Sequence, residues 1–89
     1  MITKIIKFGA PWCTACTAVD TALEQLQAIK PEIEVSKVNI EEDEATTELY
    51  KVKGLPTIVF LNDENKEMGR NVGRCTIQEI LSTINGHGI

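Results

Sequence analysis

Eighty-nine residues, 43% apolar and 25% charged, describe one small folded domain over residues 1–89 rather than a disordered chain. The net charge is −4 and the nine Lys and Arg form no basic run, which argues against nucleic acid as a partner, since phosphate binding needs a concentrated positive surface. Three cysteines are too few for a disulfide-rich secreted scaffold, and the odd count leaves one unpaired.

In chain order, "ITKIIKF" (residues 2–8) is short, β-branched and closed by Gly9, and is predicted to be a strand. From Cys13 to Lys30 the apolar residues Cys16, Val19, Leu23, Leu26 and Ile29 fall at helical spacing, flanked by Ala15, Ala18 and Ala22, and Pro31 ends the helix. "IEVSKVNI" (33–40) is a second strand. "EEDEATTELYKV" (41–52) is a short helix with an acidic first turn, which suits the helix dipole, and Gly54 is its expected stop. "TIVFL" (57–61) is the strongest strand, "NDEN" (62–65) a turn, and 66–72 the returning hairpin strand. "TIQEILSTI" closes the sequence as a helix, with Thr76 and Glu79 at capping-box spacing.

The order β-α-β-α-β-β-α predicts an α/β fold: a right-handed parallel crossover followed by a hairpin. The expected result is a four-stranded mixed sheet with three helices on both faces. Ligands in such sheets sit at the carboxyl ends of parallel strands, and "PWCTACTAVD" (11–20) lies there.

The opening "MITKIIKFGAPW" does not read as a signal peptide, because Lys4 and Lys7 interrupt it and no apolar core follows. No stretch approaches a membrane span. The expected location is therefore the reducing cytoplasm, where a cysteine pair serves catalysis or metal binding more often than permanent crosslinking. Cys13 at a helix N-terminus meets unpaired N–H groups and a positive partial charge, both of which stabilise the reactive thiolate. Cys16 lies one turn further in, on the same face. This predicts that Cys13 attacks a substrate disulfide and Cys16 then resolves the mixed disulfide. The alternatives are a structural buried pair and a zinc site drawing on Cys75 and His87. The zinc site is poorly supported, since Cys75 and His87 have no knuckle spacing. No metal and no cofactor beyond the redox-active Cys13–Cys16 pair is expected.

"FGAPWCTAC", "KVNIEEDEATTELYKVKGLPTIVF" and "NVG" together resemble the thioredoxin family, in family order and from Ile2 to about Asn85. The resemblance implies a nucleophilic Cys13, a resolving Cys16, a cis peptide before Pro56, and a substrate groove formed by Trp12, Leu55, Pro56, Val72 and Gly73. It implies protein disulfide substrates and a thioredoxin-reductase-type or glutathione electron source. A monomer is expected.

Several positions depart from that pattern. The family's first strand and helix have no counterpart, so the second strand is expected at a sheet edge. Thr14 and Ala15 stand between the cysteines in place of Gly-Pro. Thr21 stands where the family's helix-kinking proline falls. Lys7 occupies the place of a buried acid, on one face of a central strand with Thr3 and Ile5. Lys7 can be a packed stem whose ammonium reaches solvent or pairs with a carboxylate. Alternatively it tunes the thiols, either as a cation or as a desolvated neutral amine accepting the Cys16 proton, and Lys37 is placed to share that role. Cys75 reads as a half-buried small hydrophobe, with a regulatory thiol as the lesser reading.

Two classes of function follow. The first is a thiol–disulfide oxidoreductase acting as a protein-disulfide reductase, with a glutathione-dependent glutaredoxin-like variant in which Arg74 contacts a glutathione carboxylate. The second is a non-catalytic binding module of the same fold.

Overall fold

In the computed structural model, which describes residues 1–86, seven elements follow one another in the expected order. They are β1 (Lys4–Gly9), α1 (Thr14–Ile29), β2 (Glu34–Asn39), α2 (Glu44–Leu49), β3 (Thr57–Leu61), β4 (Glu67–Val72) and α3 (Ile77–Gly86). His87, the weaker of the candidate metal ligands, lies outside the described residues. The strands form one sheet in the order β2-β1-β3-β4. β1 and β2 pair in parallel, while β1–β3 and β3–β4 are antiparallel. β2 is thus an edge strand, as expected, and β1 is internal.

Strand pleating sorts the core into two layers. Ile5, Ile58 and Phe60 face α1 and α3, packing with Val19, Leu23, Leu26 and Ile80. Phe8, Val59 and Leu61 point the other way and pack against Ile40, Tyr50, Val52 and Leu55, from the segments flanking α2. The Phe8 and Tyr50 rings meet at 5.7 Å between centroids, tilted by 54°, a favourable aromatic geometry. Covered on both faces, every residue of β3 is buried, which is why "TIVFL" shows no polar alternation.

Several boundaries, and the burial of one residue, differ from the sequence reading. α1 begins at Thr14, with Cys13 in extended conformation as its N-cap. Ile29, expected on the buried stripe, is 58% exposed. It is the last residue of α1, where the helix has passed the core. α2 ends at Leu49, five residues before Gly54, because Lys51 turns into the left-handed region at φ 53°. Gly54 serves a close approach instead: a Cβ there would stand 3.2 Å from Val72 Cγ1.

The helix starts follow local chemistry. The Asp43 carboxylate accepts from the Thr46 N–H at 3.1 Å and the Thr46 hydroxyl at 2.7 Å. Those bonds hold the Asp43 carboxyl below the usual carboxylate range. At α3 the expected capping box is complete: the Thr76 N–H donates to Glu79 Oε1 at 2.9 Å, and the Glu79 N–H donates to Thr76 Oγ1 at 3.2 Å. α1 runs unbroken past Thr21, whose hydroxyl donates to the Thr17 carbonyl.

Removing a ring from the layer under α1 and α3 leaves a cavity that the surrounding strands cannot close. Phe60→Ala is expected to lose about 3–5 kcal/mol of unfolding free energy in a urea melt. Val72→Ala, at an exposed position, is expected to change it by no more than about 0.5 kcal/mol.

Candidate active site

β1 delivers the chain to the site at Gly9, where there is no room for a side chain. A Cβ on Gly9 would lie 3.0 Å from both Cys16 Sγ and Lys7 Nζ. The turn that follows is closed by the Cys13 N–H donating to the Ala10 carbonyl at 3.1 Å, and the Cys16 N–H returns to the Cys13 carbonyl at 3.2 Å. This one turn places the two sulfurs together: Cys13 and Cys16 form a disulfide, with Cα atoms 5.4 Å apart. Cys13 is half-buried and faces outward, whereas Cys16 is 3% exposed beneath it. An attacking sulfur at the surface backed by a shielded one is the asymmetry that a two-step exchange requires.

In front of the pair lies an open cleft of about 340 Å³ in which Trp12, Cys13, Ile40, Val52, Lys53 and Leu55 come together. Trp12 is 64% exposed and its Nε1–H donates to Glu41 Oε2 at 3.1 Å, which fixes the indole at the lip. The Leu55–Pro56 peptide is cis, as the resemblance implied. Pro56 does not line the cleft. It is buried behind Leu55, and its carbonyl accepts from the Gly73 N–H at 2.7 Å. Val72 and Gly73 are joined to this wall through Pro56 and Gly54 rather than opening into the cleft itself. The sequence reading did not single out Glu41, Ile40, Val52 or Lys53 for this cleft. Only Glu41 left a trace, as part of the acidic run before α2.

Behind the pair is a second cavity of about 340 Å³, lined among others by Cys13, Cys16, Lys7, Asp20, Lys37 and Glu42. The Lys7 side chain is 8% exposed, and its Nζ stands 2.7 Å from Asp20 Oδ1; Lys37 Nζ approaches the same oxygen at 3.7 Å. Oδ1 is shielded from solvent and meets no donor along a hydrogen-bonding direction, so its contacts are ionic rather than directional. Of the two structural readings of Lys7, pairing with a carboxylate is the one realised. Asp20 itself was missed. Its one signal was local, a carboxylate one helical turn beyond Cys16.

Cys75 does not join this group. It is 6% exposed in the layer between the sheet and α3. Burial and the nearby Glu79 push its thiol pKa up, against a smaller opposing effect of an Asn71 hydrogen bond. That disfavours the regulatory reading. Among the described residues, no group of three or more His, Cys, Asp or Glu is arranged to hold a metal. A further hollow of about 660 Å³ between Leu49, Tyr50, Lys51 and Arg70 contains neither sulfur.

Comparison with known proteins agrees with this geometry. The thioredoxin family model matches residues 2–86. A thioredoxin from Chlamydia pneumoniae is 34% identical over 83 residues, covering 93% of this chain and 80% of that protein. Among solved structures, one described as a malarial protein superposes with a TM-score of 0.89 at 28% identity, covering 97% of each chain. The Fasciola hepatica thioredoxin gives 0.85 at 32% identity, over 94% of this chain and 79% of its own.

The Cys75 environment has a direct chemical consequence. A raised pKa leaves less thiolate at pH 8 than in an unperturbed thiol, and burial restricts access. Brief iodoacetamide treatment of the reduced native protein at pH 8, mapped by peptide mass, should label Cys13 and spare Cys75. Urea should make the two equally reactive.

Proposed function

The chain belongs to the thioredoxin family and is a thiol–disulfide oxidoreductase, and on that premise we propose that it works as a cytoplasmic, monomeric protein-disulfide reductase recharged by a thioredoxin-reductase-type partner. The observation that carries this reading is the position of Cys13 at the mouth of the cleft between Trp12 and Leu55, with Cys16 directly beneath it. An extended polypeptide presenting a disulfide can reach the first sulfur and not the second.

The chemistry then runs in two balanced steps. The Cys13 thiolate attacks one sulfur of the substrate disulfide, and the other substrate sulfur leaves as a thiolate and takes a proton. Cys16, once deprotonated, attacks Cys13 Sγ; the bond to the substrate breaks and the second substrate sulfur leaves. Two electrons pass to the substrate, and the Cys13–Cys16 disulfide remains to be reduced by the recharging partner. Trp12 and Leu55 supply apolar contact, and Glu41 accepts from the indole N–H.

The only tryptophan adjoins the pair, so its fluorescence reports the redox state. Equilibration across thiol/disulfide buffers should give a two-electron transition near about −270 mV, the poise of a cytosolic reductant. A transition at about −200 mV or above would shift the reading to glutathione-coupled work and make Arg74 the next residue to change. With insulin as the disulfide probe, Cys13→Ser should abolish reduction, whereas Cys16→Ser should accumulate a mixed disulfide through Cys13. Retained insulin reduction in Cys13→Ser would overturn the assignment of the nucleophile.

A further inference from the structure

Val52, Lys53 and Leu55, which line the front cleft, belong to a segment that leaves a short helix, α2, none of whose own residues is buried. The end of the segment nearer β3 is tied down: the Thr57 hydroxyl donates to the Gly54 carbonyl at 2.6 Å, and the Gly73 N–H donates to the Pro56 carbonyl. The end nearer α2 depends on β4. Arg70 Nη2 donates to the Tyr50 carbonyl at 2.9 Å, and among the described residues this is the one hydrogen bond that joins residues 50–53 to the sheet. The N–H of the same peptide unit, that of Lys51, donates to the Glu48 carbonyl at 3.0 Å. The plane between Tyr50 and Lys51 is thus held at both ends. It is held where Lys51 takes the left-handed conformation that usually falls to glycine after a helix.

The guanidinium is itself aimed. Arg70 Nε and Nη2 donate to the two Glu67 carboxylate oxygens at 2.6 and 2.8 Å, the forked pairing that fixes an arginine in one plane. In a regular strand, residues three apart point to opposite faces. Here the β3–β4 register shifts: Phe60 pairs with Gly69 but Leu61 pairs with Glu67, so Met68 is the extra residue of a bulge. Met68 packs on the α1 side, and Glu67 comes to the face that Arg70 shares with Val59 and Leu61. A bulge of this kind re-aims a side chain. Both side chains are about one-third exposed, so the ion pair adds little to stability; what it supplies is direction.

We propose that Arg70 is a positioning residue for polypeptide binding: oriented by Glu67, it fixes the Tyr50–Lys51 peptide and with it the wall of Val52, Lys53 and Leu55 that meets the substrate. The proposal rests on the front cleft being the polypeptide site and deepens that reading. Arg70 does not border the cleft. It acts from the neighbouring hollow, which meets the cleft at Lys53 and contains neither sulfur. The step it governs is therefore docking, not exchange.

A residue that only stabilised the fold would affect large and small substrates alike, whereas a wall-positioning residue separates them. In the test, the reduced full chain is mixed with insulin or with bis(2-hydroxyethyl) disulfide, which is too small to span the wall, and Trp12 emission follows oxidation of the dithiol. Arg70→Met keeps the stem and loses the donors. It should lower the insulin rate relative to the small-disulfide rate roughly tenfold, the scale of loss when a positioned contact is released. Glu67→Gln keeps the Arg70 donors and removes the charged fork that aims them, and should lower the same ratio about threefold. The redox midpoint, read from the same fluorescence, should stay at the wild-type value in both. An unchanged ratio in Arg70→Met, an equal loss on both disulfides, or a moved midpoint would overturn the proposal. Should Arg70→Met not fold, Glu67→Gln carries the same test. Wild-type protein that shows no preference for insulin over the small disulfide would instead overturn the polypeptide reading of the cleft.

Discussion

Everything in this molecule is arranged around the parity of β1. The strand is flanked by β2 and β3, so it has no free edge and its side chains can only point up or down. Ile5 and Lys7 go to the α1 side, and Phe8 to the other. A one-residue slip in register would carry Phe8 under α1 and remove Lys7 from the dithiol. The alternation that builds the two apolar layers therefore also places Lys7, the one buried cation among the described residues. Gly9 then ends the strand at the spot where α1 must come closest, so the position of Cys16 is a consequence of strand register as much as of helix geometry.

The site is divided by function across the sheet's carboxyl end. In front, the lining is mostly apolar, with Lys53 and Thr47 among it, and the Trp12 indole donates to Glu41. Behind, the groups are charged and mutually paired. Both sides touch the same disulfide. No side chain beyond Cys13 lines both cavities, so a substitution on one side leaves the lining of the other unchanged.

Much of this was legible in the sequence, and the boundary is a physical one. Features fixed within a few residues were readable: the Cys13–Cys16 spacing, the Thr76–Glu79 box, the buried run of β3. Gly54 misled because a glycine can answer either a backbone need or a steric one. Here the need was steric, set by Val72 on a strand not yet formed when the helix is read alone. Ile29 misled because a periodic pattern does not reveal where the core ends. Asp20 was invisible as a partner because Lys7 lies on another element, and only the β1–α1 packing brings them together. The acidic run before α2 was read as a response to the helix dipole, and two of its members proved to have other duties: Glu41 serves Trp12 and Asp43 caps the helix.

Lys37 lies on β2, whose outer side presents unpaired backbone groups to the surroundings. A charged side chain on such a strand discourages a second sheet from adding to it. The same ammonium approaches Asp20. An apolar replacement of Lys37 would remove a charge from the rear cavity and at the same time unguard the border of the sheet, so the two surroundings cannot be altered independently at this position.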